Sequence, residues 1–364
     1  MQKKIPVGIL GATGMVGQQY IRLLADHPWF RVAYVAASPQ SAGKKYKDAL
    51  KSGWIVGGDI PAEVARLTMH DVADVEAAAK ECVFVFSAFE MPDKDMIRKS
   101  EEAYAAAGMP VFSNASAHRH TPDVPMLIPE INAHHLDIIP SQQKARGWKK
   151  GFIVVKPNCS IQSYIAPVHA LLQKGYDIKR ILVTTMQAVS GAGYPGVSSW
   201  DIIDNIIPYI GGEEEKTQFE PNKILGSIKN GKFTERTGIE ISATCTRVPV
   251  SDGHTAVVSL EFGKKKPRRD TILNIWSSFR GEPQKLDLPS APKQAIHYRA
   301  EDNRPQPKRD RDTDKGMAVT VGRLRECPVL DYRFVALSHN TVRGAAGGGI
   351  LNAELAFKKG YFSI

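Results

Sequence analysis

The chain has 364 residues, of which 43% are hydrophobic and 24% charged, with a formal net charge of +10. That balance supports packed cores and excludes a disordered chain; the length suits two domains. No apolar run approaches the roughly 20 residues of a membrane span, and four scattered cysteines without a CxxC pair exclude a disulfide scaffold and a zinc ribbon.

The opening Met1-Gln2-Lys3-Lys4 lacks the apolar stretch and cleavage site of a signal peptide, so the expected location is cytoplasmic. Ile5 to Leu10 reads as a buried strand. A glycine-rich turn comes next, Gly11-Ala12-Thr13-Gly14-Met15-Val16-Gly17, then apolar residues at helical spacing over 18–25 and a Val/Ala-rich strand over 31–37. This is a βαβ unit. Its glycines allow a tight turn and close backbone approach to a pyrophosphate at a helix N-terminus, so Gly11, Thr13, Gly14, Met15 and Val16 are expected to hold a dinucleotide. The spacing is GxxGxxG, and a merely structural turn is the plain alternative. The second strand ends in Ala37-Ser38-Pro39-Gln40-Ser41, with Gly43-Lys44-Lys45 beyond. A carboxylate for a ribose 2′-hydroxyl is missing there, while hydroxyls and lysines suit a 2′-phosphate. The expected cofactor is NADP.

Further strands are expected at 82–87, 111–113 and 152–155, with a helix over 93–107 capped at Gly108. Alternation of this kind predicts a parallel, doubly wound, Rossmann-like sheet. Beyond Cys159 the pattern changes. A helix over 160–174 precedes long strands at 181–188, 239–250, 255–262, 319–325 and 331–337, which predict an α+β domain with a mixed sheet. A small-residue helix over 344–359 should return to the first domain. The expected division is 1–157 with 343–364 for the NADP-binding domain and 158–342 for the catalytic and dimerisation domain. The basic run 264–269 and the mixed run 304–315 read as solvated loops rather than a nucleic-acid surface. Residues 51–69 carry no motif.

Lys156-Pro157-Asn158-Cys159-Ser160 falls where a strand meets a helix. A cysteine at a helix N-terminus gains thiolate character from the dipole and free N–H groups, and the same N–H groups offer a site for an oxyanion. An inert buried thiol is the alternative; it fits Cys82 and Cys245 better, since they lie in strand patterns, whereas polar residues flank Cys159.

Several long segments then point one way. GATGMVG from Gly11, SNASAHR from Ser113, PNCS from Pro157, QAVSGAGYPG from Gln187, IPYIGGEEEK from Ile207, RVPVSDGHTA from Arg247, SAPKQAIH from Ser290 and ALSHNTVRGAAGG from Ala336 resemble aspartate-semialdehyde dehydrogenase in its fungal and archaeal branch. The likeness runs over essentially the whole chain. It implies NADPH-dependent reductive dephosphorylation of 4-phospho-L-aspartate to L-aspartate 4-semialdehyde through a cysteine thioester, in lysine, threonine and methionine biosynthesis. It implies Cys159 as nucleophile, His254 as acid–base catalyst, Arg247 on the substrate α-carboxylate and Gln187 orienting the substrate. Glu220 would meet the ammonium, and Lys223, Asn114 and Arg119 the phosphate. Ser38, Ser41, Ser87, Ser190, Gly191, Gly193 and Asn340 would join the cofactor site, with no metal. Glu220 has a plainer reading as a surface carboxylate like Glu213 to Glu215, and His254 as a turn histidine. Strands of the second domain commonly build dimer interfaces in that family, so a homodimer or homotetramer is expected; neither nucleic acid nor membrane is an expected partner. The rival within the scaffold is another acyl reductase, acting on malonyl-CoA, succinyl-CoA or N-acetyl-γ-glutamyl phosphate. The rival outside it is a non-catalytic dinucleotide sensor or nucleic-acid binder, which a sequence pI of about 9.3 would suit.

Overall fold

In a computed structural model that describes residues 4–363, the apolar run Ile5–Leu10 forms β1 at the centre of a six-stranded sheet. The reading of Met1-Gln2-Lys3 lies outside the described residues. Around β1 stand β2 (Phe30–Ala37), β3 (Met69–Asp71), β4 (Phe84–Ser87), β5 (Val111–Ser113) and β6 (Ile153–Val155). The order is β3-β2-β1-β4-β5-β6, with every pair parallel. The strand order turns back between β1 and β4, the place where such sheets bind ligands beyond their carboxyl ends. Buried on both faces, these strands read as continuous apolar runs rather than alternating ones. On one face Val7, Ile9, Phe84 and Phe86 pack with Tyr20, Ile21 and Leu24 of the helix Met15–Leu24 and with Ile350, Leu351 and Leu355 of the C-terminal helix Gly347–Lys358. Gly349 lies so close to Tyr20 that a Cβ there would fall 1.9 Å from the hydroxyl.

The rest of the chain supplies β7 (Ile178–Gln187), the hairpin β8 (Ser227–Lys229) and β9 (Lys232–Thr234), then β10 (Glu240–Arg247), β11 (His254–Phe262), β12 (Ile296–Arg299), β13 (Val319–Glu326) and β14 (Tyr332–Ser338). The second sheet runs β10-β7-β11-β14-β13-β12; its outer pairs are parallel and its inner ones antiparallel. Both the doubly wound sheet and the mixed sheet expected from the sequence are present. One face of the second sheet is covered by Ile165–Gln173 and Arg269–Ser278, where Trp276 is buried and its Nε1 donates to Pro167 O at 3.0 Å. The core under that face is continuous with the second face of the first sheet, from Val85 and Tyr104 through Ile165 to Val258 and Phe334.

The structure departs from the sequence reading in two places and fills two stretches for which no element was expected. A 3-10 turn, Ile161–Ser163, precedes the α-helix, which begins only at Ile165. The run after Gly212 is a helix, Glu213–Ile224, hidden in the sequence by its acidic start and by Pro221. Residues 304–315 are no simple loop: the buried Asp310 carboxylate takes Arg304 and Arg299, and a short helix Pro307–Asp310 runs through it. The motif-free stretch after Lys51 is pinned by Gln18, whose Nε2 donates to Gly53 O (3.2 Å) and whose Oε1 accepts from Ile55 N (2.8 Å).

Candidate active site

Past β6 the chain turns at Pro157, and Asn158 sets the shape of the next turn. Its Oδ1 accepts from Ser160 N (2.8 Å) and Ser160 Oγ (2.9 Å), closing an Asx turn with Cys159 at its crown. Beneath it sits Gly344, where a Cβ would lie 2.7 Å from Cys159 Cβ. The expectation that a helix dipole depresses the thiol does not hold. The α-helix begins six residues on, the dipole's reach is one turn, and the Ser160 N–H is already committed. Burial instead pushes the Cys159 thiol up to about 12, with the Glu213 carboxylate adding to the shift and Arg119 and Arg247 opposing it.

His254, first residue of β11, faces the sulfur with Nε2 3.3 Å from Sγ. Its other nitrogen, Nδ1, accepts the backbone N–H of Ala188 at 3.0 Å. An amide N–H can only donate, so the neutral ring carries its proton on Nε2, aimed at sulfur. Burial, reinforced by Arg247, lowers this imidazole to about 3, which keeps it neutral at working pH. In the free protein His254 is therefore a donor to Cys159 rather than a base. Arg247, last residue of β10, is buried beside it, and its Nη1 donates to Ala188 O at 2.9 Å. Gly191 packs against both: a Cβ there would lie 2.7 Å from Arg247 Nη1 and 3.0 Å from His254 Nε2.

Gln187 ends β7, directly across from Arg247 on β10. Its Nε2 donates to Thr185 Oγ1 (3.2 Å) and Glu213 Oε2 (3.1 Å). Glu213 is no surface carboxylate. It is buried at the start of its helix and takes the Asn158 amide on both oxygens, at 2.9 and 2.8 Å, and Lys216 at 2.9 Å. Burial alone would raise its pKa, but Lys216 and the amide donors outweigh that and hold it below the usual carboxylate range. Sequence reasoning missed this residue.

The residues expected at the phosphate also converge. Glu220 is buried; its Oε1 accepts Arg119 Nη1 at 2.8 Å and its Oε2 accepts the Asn158 backbone N–H at 2.5 Å. Arg119 Nη2 reaches Asn114 O at 3.3 Å, while Arg119 Nε and Asn114 Oδ1 are buried without a partner among the described residues. Asn114 Nδ2 donates to Tyr20 Oη at 2.6 Å. Lys223 holds Arg119 O (2.8 Å) and Thr121 O (3.0 Å), and burial brings its ammonium down to about 8.

On the cofactor side, the turn before Met15–Leu24 is tight. Gly11 has φ +79° and a Cβ would strike Ala88 O at 2.6 Å; at Gly17 it would meet Gly11 O at 2.2 Å. No side chain caps this helix at Gly14, so its first-turn N–H groups are available to an anion. Thr13, Met15 and Val16 lie partly open along it. Ser38 is exposed and Ser41 buried at the end of β2, where no carboxylate stands. Asn340 accepts Gly253 N on Oδ1 (2.8 Å) and donates to Ser190 Oγ (2.8 Å), tying the loop that carries Gly191 and Gly193 to β11 and β14. These residues fit a dinucleotide. The buried Ser87 hydroxyl donates to Glu101 at 2.5 Å, and its carbonyl accepts the Asn114 N–H at 2.9 Å. An interdomain cleft of 370 Å³ runs from Met15 and Arg22 to Ser190, Arg311 and Thr341. Arg22 and Arg311 there carry no motif that sequence reading would have singled out. Among the described residues no group of three or more His, Cys, Asp and Glu side chains is arranged to hold a metal.

A nucleotide-binding parallel sheet, joined to a mixed sheet whose strand ends bring an imidazole and a guanidinium to a thiol, defines a dinucleotide-dependent oxidoreductase. Residues 6–139 match the semialdehyde dehydrogenase NAD-binding domain and 168–343 the semialdehyde dehydrogenase dimerisation domain. Aspartate-semialdehyde dehydrogenase of Aspergillus fumigatus is 47% identical over 97% of this chain and 97% of its own; that of the archaeon Methanothermobacter thermautotrophicus is 47% identical over 96% and 98%. The crystal structure of the Candida albicans enzyme with NADP superimposes with a TM-score of 0.90 at 40% identity, over 99% of this chain and 100% of that one. The chain belongs to the aspartate-semialdehyde dehydrogenase family, as its motifs indicated.

Proposed function

We propose that this protein converts 4-phospho-L-aspartate and NADPH reversibly to L-aspartate 4-semialdehyde, NADP and phosphate, with Cys159 carrying the acyl group. The observation that carries the reading is the convergence of Cys159, His254, Arg247 and Gln187 from four separate segments on one point. NADP is favoured over NAD because Ser38, rather than a carboxylate, follows the end of β2 at Ala37, with Ser41, Lys44 and Lys45 beyond it.

Each residue has its own task. Arg247 takes the α-carboxylate, for which a planar guanidinium is suited. Arg119, Lys223 and Asn114 receive the phosphate; Arg119 Nε and the third hydrogen of the Lys223 ammonium are free for it. The Cys159 sulfur attacks the acyl carbon, the carbon–oxygen bond to phosphate breaks, and the thiol proton leaves with the phosphate. His254 keeps its proton and directs Nε2–H as a hydrogen bond, first to the developing sulfur anion and then to the tetrahedral oxygen. When bound, the nicotinamide supplies the hydride that reduces the thioester; Gly191, Gly193 and Asn340 would hold that end of the cofactor, and the first-turn N–H groups after Gly14 the pyrophosphate. Collapse of the tetrahedral adduct then breaks the carbon–sulfur bond, releases the aldehyde and leaves Cys159 as a thiolate, which takes a proton from solvent to restore the thiol. Proton handling by His254 beyond donation requires the Ala188 N–H to leave Nδ1.

The domain division is read as 1–157 with 343–364 against 158–342. The protein is read as a cytoplasmic homodimer or homotetramer. Four unpaired cysteines suit a reducing compartment. Trp200, Ile203, Ile206 and Tyr209 form an exposed apolar segment within the part of the chain that matches a dimerisation domain. Among the described residues no helix is long and apolar enough to cross a membrane.

The test is phosphate-dependent oxidation of aspartate semialdehyde, monitored by NADPH absorbance. Cys159→Ala should abolish it while NADPH binding persists; normal turnover in that variant would sink the reading. His254→Ala should lower kcat by roughly 10²- to 10⁴-fold.

A further inference from the structure

A buried cluster beside the proposed phosphate residues has no task in the reaction scheme. Ser87 and Ser113 are register partners at the ends of β4 and β5. Both hydroxyls donate to one oxygen of Glu101, at 2.5 and 2.6 Å. With its hydrogen committed there, Ser113 Oγ is left as an acceptor and takes the Ala115 N–H at 3.0 Å. The other Glu101 oxygen, Oε2, stands 3.9 Å from His118 Nε2. Both side chains are fully buried, and neither of these two atoms has a partner among the described residues. The opposite ring nitrogen, Nδ1, lies 3.1 Å from Thr121 Oγ1.

Glu101 and His118 thus bracket one loop. Asn114 opens it, Arg119 directly follows His118, and Thr121 closes it. The helix Lys94–Ala106 also reaches the middle of the loop, where Arg98 Nε donates to Ala117 O at 2.8 Å. Lys223 holds the carbonyls of Arg119 and Thr121. Unpaired buried polar atoms are costly, so the open Glu101–His118 pair is where this loop gains by moving. Closing 3.9 Å to hydrogen-bond length takes a shift of about 1 Å. A shift of His118 carries the Arg119 backbone with it, and Arg119 Nε is the buried, unpartnered donor read as a phosphate contact. The pair closes in either protonation state. A protonated Glu101 donates to Nε2, an ionised one accepts Nε2–H, and the Thr121 hydroxyl serves Nδ1 as acceptor or donor.

We propose that Glu101 and His118 are positioning residues for phosphate: they form a clasp at residues 113–121 that closes as the anion engages Arg119 and fixes Asn114 and Arg119 for the phosphate step. This rests on the reading of Arg119 as a phosphate ligand. It gives the pair no part in binding the semialdehyde, in hydride transfer or in forming the thioester.

The experiment separates two halves of the oxidative reaction. Without phosphate, aspartate semialdehyde and NADP give a burst of NADPH, timed by stopped-flow absorbance. With phosphate, an oxygen of the anion bonds to the acyl carbon, the carbon–sulfur bond breaks and the thiolate leaves; steady-state turnover then gives the KM for phosphate. Glu101→Leu should raise that KM roughly 10- to 100-fold, the worth of one charge-assisted contact. The burst rate should stay within about threefold of wild type. Glu101→Gln keeps an oxygen for the serines and offers an N–H to His118, so its phosphate KM should lie within about threefold of wild type. His118→Phe removes the ring nitrogens, leaves Glu101 and both serines in place, and guards against misfolding of Glu101→Leu. It should show the same loss, and the double variant no more than either alone. Equal losses in burst and phosphate step, Glu101→Gln as impaired as Glu101→Leu, or additive losses would each overturn the proposal. Arg119→Lys keeps a cation beside Glu220 but removes the free Nε, and should raise the phosphate KM by itself. If it does not, the phosphate reading of Arg119 fails and the clasp falls with it; if it does while the clasp variants leave that KM unchanged, the proposal fails alone.

Discussion

Cys159 and His254 form a pair whose protons are arranged by their neighbours. The thiol is pushed up to about 12 and the imidazole down to about 3, both chiefly by burial. The free protein therefore holds a neutral pair, with the Nε2–H directed at sulfur. Alkylation of Cys159 by iodoacetamide should accordingly rise about tenfold per pH unit between pH 7 and 10, tracking the thiolate fraction; a rate already level below pH 8 would show the thiol titrating far lower. Glu220→Ala would strand Arg119 in a buried site and should cost about 3–5 kcal/mol in urea unfolding. At this scale the sequence was most informative where the chemistry is local. Asn158, Cys159 and Ser160 are contiguous, and Arg247 and His254 lie seven residues apart, so their motifs carried them. Glu213 was illegible because its partners, Asn158 and Gln187, are remote in the chain and meet it only in the fold. A strand pattern does not say where the terminal hydroxyl of Ser87 turns, which in this protein is to Glu101.

Secondary elements bring these side chains to the point where they act. Strands β7, β10 and β11 deliver Gln187, Arg247 and His254 at neighbouring ends, and the segment Val342–Ala346 carries Gly344 beneath Cys159. Gly344→Ala should displace the nucleophile and lower kcat at least tenfold with unchanged secondary structure by circular dichroism, since backbone and Cβ of Cys159 leave no room for a methyl group. The helix Lys94–Ala106 drives Glu101 between the ends of β4 and β5, where Ser87 and Ser113 donate to it. Burial raises this carboxyl to about 7. Between its unfolded value near 4.5 and about 7 the folded protein binds the extra proton, so stability falls as pH rises through that window, by about 3 kcal/mol. Glu101→Gln, which mimics the protonated form, should flatten the pH dependence of urea unfolding from pH 5 to 8; an unchanged slope would count against the assignment. Apolar runs such as CVFVFS and turn glycines made the parallel sheet readable. The helix Glu213–Ile224 was not, because its amphipathic signal is broken by EEEK and Pro221, and tertiary contacts of Glu213, Thr217 and Glu220 hold it.

For the molecule as a whole, two domains share a continuous core, and the C-terminal helix packs on the first sheet against the helix just past the glycine turn. The exposed Trp200, Ile203 and Tyr209 leave an apolar surface that a second copy would cover. Replacing Trp200 and Ile203 with glutamate should shift sedimentation velocity toward monomer at micromolar concentration. That surface could not be read from the sequence, because exposure is a property of the finished fold. On the proposed mechanism the acyl group is held on Cys159. The most direct test mixes the protein with aspartate semialdehyde and NADP in the absence of phosphate. Hydride transfer should then stop at the thioester, giving a burst of one NADPH per active site and an acyl adduct that peptide mass spectrometry maps to Cys159, both discharged by added phosphate. A burst that survives in Cys159→Ala, or an adduct on another residue, would contradict the account.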